Sequence, residues 1–410
     1  MDISQKTNFL FQPEEGETTG VLLKNIQLKK NILNHFATQG DSTLADLSKE
    51  LNTSVPKVNE IVSELIAENL VKDYGKIDIS LGRKPNLYGL VPDSAFFIGV
   101  EVKKDRINMG LMDFKKNLVA SSMHIPYDLD NSNESLQALC EAIEEFILGS
   151  NIPKEAIWGL GLNLTGRINY KTGYSYNFFN FLDIPLSKYV KQTLNIPTFI
   201  ENDSRAMAYG EFTNGAVDEE KDVLFINLDL GIGMGIMANG ELYYGKSGFA
   251  GEFGHIPLFQ NEIICHCGKK GCLETEASGE ALVRLFKERL ILGETSIVSQ
   301  QYDGIDDLQM QDILDAANND DTLAIELVAQ IGEKIGKGLA SLVNLFNPEL
   351  IVLGGPMANT GDYIILPLKN ALNTYSISLV NKDTSLKTSV LGDKAGIIGA
   401  CMLIRDRLLS

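Results

Sequence analysis

The first part of the chain has the apolar pattern of a short helical module. Residues 1–20 show no periodicity and are expected to form a flexible tail. Apolar residues then recur at helical spacing in three segments, Val21–Ala37, Leu44–Leu51 and Ser54 to about Asn69. Gly40 ends the first segment, and Ser54 is a suitable cap for the third. The pattern therefore predicts helix, helix, short turn and helix.

Two strand-like segments follow these helices. They are Leu70–Ser80 and Asn86–Val91, and a basic turn containing Arg83 and Lys84 joins them. Three helices followed by a two-stranded hairpin are typical of a winged helix-turn-helix, which binds DNA. A plain three-helix packing module is the alternative, and the basic turn favours the DNA-binding interpretation.

From Phe96 onward the pattern alternates between strands and helices. A first group of strands is predicted at Phe96–Val102, Ile107–Phe114, Leu118–Ile125 and Ile157–Leu164. A second group begins at Val223–Leu228 and continues, after a Gly-rich turn, with Met234–Ala238 and Glu241–Tyr244. The Asn239-Gly240 pair between the last two is a strong hairpin signal. This duplication predicts an α/β protein with two similar lobes and a ligand cleft between them.

The charge of the chain limits how it could bind nucleic acid. With 36 Lys and Arg against 54 Asp and Glu, the net charge is −18, which argues against a general nucleic-acid surface. Residues 21–90 carry nine basic and eight acidic side chains, so only this module is a candidate. The sequence contains no apolar run of about 18 residues, so a cytoplasmic protein is expected.

The five cysteines point to a metal site. Cys265, Cys267 and Cys272 lie within eight residues, which is typical of metal ligands in a reducing compartment rather than of disulfides. Together with His255 they supply the four ligands of a closed tetrahedral zinc site. His266 competes for the imidazole position, and three buried thiols without a metal are the alternative.

These motifs, taken together, resemble the ROK family of repressors, open reading frames and sugar kinases. The resemblance covers about residues 95–410, and the preceding helix-turn-helix resembles the repressor branch that includes xylose and N-acetylglucosamine repressors. It rests on four ordered motifs: Gly251-Glu252-Phe253-Gly254-His255 with Cys265–Glu274, Gly231–Ile236, Glu201-Asn202-Asp203, and Asn347–Gly355.

The resemblance implies a fold, a ligand and a metal. The fold would be a winged helix-turn-helix followed by a two-lobed, actin-like domain. We expect a tail at 1–20, the DNA-binding domain at 21–92, one lobe at 95–205 with 395–410, and the other lobe at 206–394. Structural zinc would be bound by the four ligands named above. Sugar hydroxyls would be bound by five residues: Asn202, Asp203, Glu252, His255 and Glu274. Such side chains suit a sugar, because carboxylates and amides accept hydroxyl hydrogen bonds.

The phosphate-binding loops of kinases in this family are altered here. Those kinases carry Asp-x-Gly-Gly-Thr in the first hairpin, whereas this chain reads Gly99-Val100-Glu101-Val102-Lys103-Lys104-Asp105. The usual Gly-Thr of the second loop is Asp229-Leu230. Without the glycines, the backbone cannot approach phosphates closely. ATP and a catalytic residue are therefore not expected.

The favoured hypothesis is a sugar-responsive transcriptional repressor of carbohydrate-utilisation genes. Its partners would be a DNA operator, a sugar effector and further copies of the chain, as a homodimer or a dimer of dimers. The predicted DNA contacts are Ser54, Pro56, Lys57, Asn59, Ser63, Arg83 and Lys84. One alternative is an ATP-dependent sugar kinase with Asp203 as base. Another is a zinc-stabilised sugar-binding protein whose N-terminal module binds a protein.

Overall fold

A computed structural model describes residues 20–76, 85–300 and 306–410, without the side chains of Val21 and Gln300. The predicted tail, Arg83 and Lys84 lie outside these residues. The chain divides into two compact units, Met1–Asp203 with Ile397–Ser410, and Ser204–Gly396.

The first unit begins with the helical module. Its elements are α1 (Gly20–Gln39), α2 (Leu44–Glu50), α3 (Val55–Ala67), β1 (Val71–Lys76) and β2 (Asn86–Leu90). The two strands are antiparallel, and Ser42, in the turn after α1, pairs with Tyr88 of β2. Leu33, Leu47 and Ile61, one from each helix, are fully buried. The predicted winged helix-turn-helix is therefore confirmed.

A five-stranded sheet forms the rest of the first unit. Its strands are β3 (Phe96–Val102), β4 (Arg106–Asp113), β5 (Leu118–Pro126), β6 (Ile157–Leu164) and β9 (Thr198–Asn202), in the order β5-β4-β3-β6-β9. The small hairpin β7–β8 (Ile168–Asn169, Tyr174–Ser175) and the helices α4 (Asn133–Gly149), α5 (Leu186–Leu194) and α13 (Ala395–Leu409) complete it. Gly99 and Gly161 allow the last helix to pack closely, since a Cβ at either position would collide with its backbone.

The second unit repeats this arrangement. Its sheet has the order β12-β11-β10-β13-β14, with three antiparallel strands followed by two parallel ones, as in the first unit. The strands are β10 (Val223–Leu228), β11 (Ile232–Ala238), β12 (Glu241–Leu242), β13 (Leu350–Gly354) and β14 (Ser385–Thr388). The helices are α6 (Asp203–Asn214, which starts at the unit boundary), α7 (Glu274–Ala277), α8 (Gly279–Ile291), α9 (Met310–Asn318), α10 (Thr322–Phe346), α11 (Asp362–Tyr375) and α12 (Ser378–Asn381). The predicted duplication is present.

One predicted boundary was wrong for a clear reason. The glycine-rich segment after β10 was expected to be a turn as far as Gly233, but β11 begins at Ile232, and Leu228 pairs with Ile232. Its glycines serve helix packing: a Cβ on Gly233 would collide with Ser204 and one on Gly235 with Ala208, both on α6. Across the described part of the chain, helices long and apolar enough for a bilayer are absent.

Candidate functional site

The predicted metal ligands come together in the second unit. His255 ends a short 3-10 turn, Phe253–His255, whereas Cys265 and Cys267 lie on a tight loop and Cys272 just precedes α7. The loop is closed by hydrogen bonds from the Cys265 amide to the Lys269 carbonyl and from the Gly268 amide to the Cys265 carbonyl, both 2.8 Å long. Gly268 and Gly271 have φ angles of +79° and +80°, which glycine adopts without strain.

The geometry of this cluster fits one metal ion. The four ligand atoms lie within 4.8 Å of one another. The Cys267 and Cys272 sulfurs are 3.6 Å apart, and the Cys265 sulfur is 3.4 Å from His255 Nδ1. A tetrahedral ion with metal–sulfur bonds of ~2.3 Å separates its sulfurs by about 3.8 Å. Three thiols and an imidazole at these distances could therefore hold a metal ion.

Burial disfavours free thiolates at the cluster. It raises the pKa of Cys265 to about 12 and also raises the pKa of Cys272. A bound cation acts in the opposite direction, because it stabilises the coordinating thiolate directly. His266, the competing imidazole, is largely exposed, and its Nε2 lies 3.5 Å from Glu280, so its ring points away from the cluster.

Two predicted sugar contacts flank His255. Its Nε2 lies 3.6 Å from a Glu252 carboxylate oxygen, and its Nδ1, on the metal side, lies 3.9 Å from Glu274. The three predicted contacts of the second unit are thus neighbours. The two ring nitrogens have different neighbours, so a metal ion bound at Nδ1 would fix the orientation of Nε2.

Glycines bring this segment against β11. A Cβ on Gly251, which has a φ of +95°, would collide with the Met234 carbonyl, and one on Gly254 would lie 2.6 Å from the Ile232 carbonyl. The motif from Gly251 to His255 therefore needs both glycines for close backbone approach.

Glu274 makes a contact that sequence reasoning missed. Its carboxylate accepts a hydrogen bond of 3.1 Å from the Ile232 amide, at the start of β11, while its other oxygen lies 3.7 Å from the Cys265 sulfur. Glu274 thus links the cysteine loop to the glycine-rich turn. The sequence shows the acceptor, the Glu274 carboxylate, but the donor is a backbone amide 42 residues away, which no sequence motif marks.

The other two predicted sugar contacts lie in the first unit, at the end of β9. The Asn202 amide donates to Asp203 Oδ1 (2.9 Å) and to the Gly166 carbonyl (3.1 Å). Gly166 has a φ of +92°, and a Cβ there would lie 2.8 Å from Asn177. Asn202 and Asp203 are therefore held as a pair beside a glycine turn.

The two altered loops hold carboxylates. Glu101 is buried and accepts a 2.7 Å hydrogen bond from Asn108 on the neighbouring strand. In the second loop, Asp229 accepts a 2.8 Å bond from the Leu230 amide, so this carboxylate engages an amide of its own turn.

The predicted DNA-contact positions of α3 share its outer face. Ser54, Pro56, Asn59 and Ser63 are exposed, and Lys57 is half-buried. Ser54 occupies the N-cap position of α3 as predicted, although its side chain makes no capping hydrogen bond. Lys57 forms a 2.8 Å ion pair with Glu60, which reduces its availability to phosphate.

Comparisons with known proteins agree with this layout. Residues 97–407 match the ROK family, and residues 27–72 match a winged helix-turn-helix DNA-binding family. A xylose repressor of Caldicellulosiruptor bescii is 28% identical over 89% of this chain and 92% of its own length. A glucokinase of Halalkalibacterium halodurans is 31% identical over 76% of this chain and 96% of its own.

One solved structure covers nearly the whole chain. The crystal structure of a ROK family transcriptional regulator, a homologue of the E. coli MLC protein, superposes with a TM-score of 0.78. It covers 94% of this chain and 98% of its own, at 24% identity, and it therefore supports the fold.

Proposed function

Because the chain belongs to the ROK family, we propose that it is a sugar-responsive transcriptional repressor that binds DNA through its winged helix-turn-helix. The observation that carries this proposal is the DNA-binding module preceding the ROK domain in one chain. The xylose repressor, which spans both parts, covers more of this chain than the glucokinase does. DNA binding also supports a site of action in the cytoplasm.

The sugar contacts we propose are Asn202, Asp203, Glu252, His255 and Glu274. All five offer carboxylate, amide or imidazole groups, which can bind the hydroxyls of a sugar. The pairing of Asn202 with Asp203, and of His255 with Glu252, supports the proposal because each pair is already oriented by hydrogen bonding or close approach.

We propose that the metal is structural zinc, bound by His255, Cys265, Cys267 and Cys272. The donor set supports zinc, since three thiolates and one imidazole in a closed tetrahedron are typical of structural zinc sites. Zinc would stabilise the thiolate forms of the three cysteines and fix the orientation of the His255 ring. The chain's own residues then orient the site: Glu274 fixes the glycine-rich turn, and Gly251 and Gly254 keep the His255 segment against β11.

On DNA, we propose that α3 lies in the major groove. Ser54, Pro56, Lys57, Asn59 and Ser63 would face the bases and phosphates, and Arg83 and Lys84 would contact the minor groove beside them. A homodimer would present two such helices to a two-fold symmetric operator. By linkage, a sugar that binds the DNA-bound and free forms unequally changes the affinity for DNA.

A sugar kinase is the second candidate, because the glucokinase is the relative with the higher identity. The altered loops weigh against it. Asp229 brings a carboxylate to one segment that binds phosphate in the kinases of this family, and Lys103-Lys104 replaces the pair of glycines in the other.

The substitution Asp203→Asn separates the two candidates. In the regulator, we expect no ATP-dependent phosphorylation of any sugar tested, loss of sugar binding by Asp203→Asn in calorimetry, and unchanged DNA binding without sugar. The control is Asp183→Asn, which removes an exposed carboxylate of the same unit and should behave as wild type. Sugar phosphorylation that Asp203→Asn abolishes would instead establish the kinase.

A further inference from the structure

The end of β9 buries an acidic side chain next to two of the proposed sugar contacts. Glu201, the residue before Asn202 and Asp203, is 2% exposed. An ionised carboxylate at this depth is costly unless an opposite charge and hydrogen bonds compensate for its lost hydration. The groups that stabilise Glu201 therefore also affect the two residues that follow it.

Arg407 of α13 provides the opposite charge. Its Nη2 donates a 2.7 Å hydrogen bond to Glu201 Oε2. The guanidinium carbon lies 5.1 Å from the centre of the Tyr170 ring, in the turn of the β7–β8 hairpin, and 5.8 Å from that of Phe199 on β9. Aromatic rings attract a cation, so the two rings and the carboxylate together hold the guanidinium group in place.

The second oxygen of Glu201 contacts the first of the two sugar residues. Glu201 Oε1 accepts a 2.9 Å hydrogen bond from the Asn202 backbone amide, and the Asn202 side chain in turn donates to Asp203 Oδ1. One carboxylate thus connects a cation on α13 to both sugar residues. A carboxylate that loses its cation is more stable in water than in a buried position, and turning toward water would break its bond to the Asn202 amide.

We propose that Arg407 is a positioning residue of the sugar site: it keeps Glu201 in place, and Glu201 holds Asn202 and Asp203 in the orientation that binds sugar. The proposal rests on the sugar-binding function proposed above and adds a residue to it. Arg407 belongs to none of the four motifs that carry the family resemblance, and it is 206 positions from Glu201 in the sequence. These residues all lie within the first unit.

Hydrogen exchange of the full chain, followed by mass spectrometry, tests the positioning without any ligand. We expect Arg407→Met to accelerate exchange of the Asn202 amide by about tenfold, the value of one hydrogen bond to a charged group. Adding Glu201→Gln to Arg407→Met should restore slow exchange, because glutamine keeps the accepting oxygen and carries no charge that needs the arginine. The control is Arg106→Met, which removes an ion-paired arginine from the same unit and should exchange as wild type does.

Isothermal titration calorimetry with D-glucose and D-xylose tests the consequence for sugar binding. Arg407→Met should bind the sugar that wild type binds about tenfold more weakly, whereas Arg106→Met should match wild type. The double variant with Glu201→Gln should recover most of the affinity. Such recovery distinguishes positioning from packing, because a change in Glu201 does not refill the volume of the missing arginine.

The two measurements also separate this proposal from the function on which it rests. If wild type binds neither sugar but Arg407→Met accelerates exchange of the Asn202 amide, the positioning role is supported and the failure lies with the proposed sugar-binding function.

Glu201→Ala provides a second test if Arg407→Met does not fold. The arginine side chain that this variant leaves behind is 18% exposed, so its charge can reach water. Glu201→Ala should accelerate exchange of the Asn202 amide and weaken sugar binding, whereas Glu201→Gln alone should change both far less. Exchange rates and sugar affinities that remain at the values of the Arg106→Met control in both Arg407→Met and Glu201→Ala would overturn the proposal.

Discussion

The contact between Lys115 and Asp41 gives the most informative prediction about how the helix-turn-helix is held. Lys115, in the turn between β4 and β5, lies 2.9 and 3.1 Å from the two Asp41 oxygens. Its ammonium group also lies 4.2 Å from the centre of the Tyr74 ring on β1. Asp41 has room there because residue 89 is glycine. A Cβ atom at that position would collide with the Asp41 carboxylate.

The magnitude follows from the partial burial of the pair. Both side chains are about one quarter exposed. The ion pair therefore contributes more to the free energy of unfolding than a surface pair does, and its desolvation costs less than that of a fully buried pair. We expect Lys115→Met to lower the free energy of unfolding by about 1–2 kcal/mol, the aromatic contact included. In a double-mutant cycle, Lys115→Met and Asp41→Asn should couple by about 1 kcal/mol.

The pH dependence has a definite sign. The hydrogen bonds and charges of Asp41 and Tyr74 outweigh burial and raise the pKa of Lys115 above its usual 10.5. The stabilisation is therefore complete at neutral pH and is lost as the pH rises through the raised pKa. Urea unfolding at neutral pH measures the stabilisation by Lys115. The control is Lys104→Met, which removes an exposed lysine from the preceding turn.

The pair should also matter for regulation. Lys115→Met should reduce the effect of sugar on DNA affinity while leaving the affinity for sugar unchanged, because it alters only the contact between the sheet and the DNA-binding module. A coupling energy near zero, together with an unchanged sugar effect on DNA binding, would refute this reasoning.

Three further predictions concern the metal, the glycine motif and the DNA-contact helix. Cys272→Ser should abolish stoichiometric metal measured by mass spectrometry and lower the unfolding temperature, as should a chelator on wild type; Cys140→Ser should retain the metal. Gly254→Ala should cost about 2–3 kcal/mol in urea unfolding, because its Cβ must displace the Ile232 carbonyl; equal stability would contradict the packing. Glu60→Gln should tighten DNA binding about threefold by releasing Lys57, whereas Glu50→Gln should not.

The strands that are buried on both faces were predicted most accurately from the sequence. Strands β3, β6 and β10 have the predicted bounds, because continuous apolar runs between turn residues have few other structures available. The start of β11 was missed because glycine carries no hydrophobic signal, and its glycines are required by α6, which packs on them from another part of the chain.

The candidate site shows the same division between local and long-range information. The spacing of Cys265, Cys267 and Cys272 indicated a metal cluster because all three lie on one loop. The ion pair of Lys115 with Asp41 joins residues 74 positions apart, and the bond from Ile232 to Glu274 involves a backbone amide. Neither has a pattern in the sequence, because both depend on how separate segments pack.

Selection of sheared genomic DNA on the purified protein, with and without a panel of sugars, tests the central claim most directly. The account predicts discrete enriched sites near sugar-utilisation genes, with the enrichment altered by one sugar and unaffected by the others. Binding should weaken as the salt concentration rises, because lysine and arginine contacts to phosphate release counterions from the DNA. The absence of any enriched site at low salt, whichever sugar is present, would contradict the account.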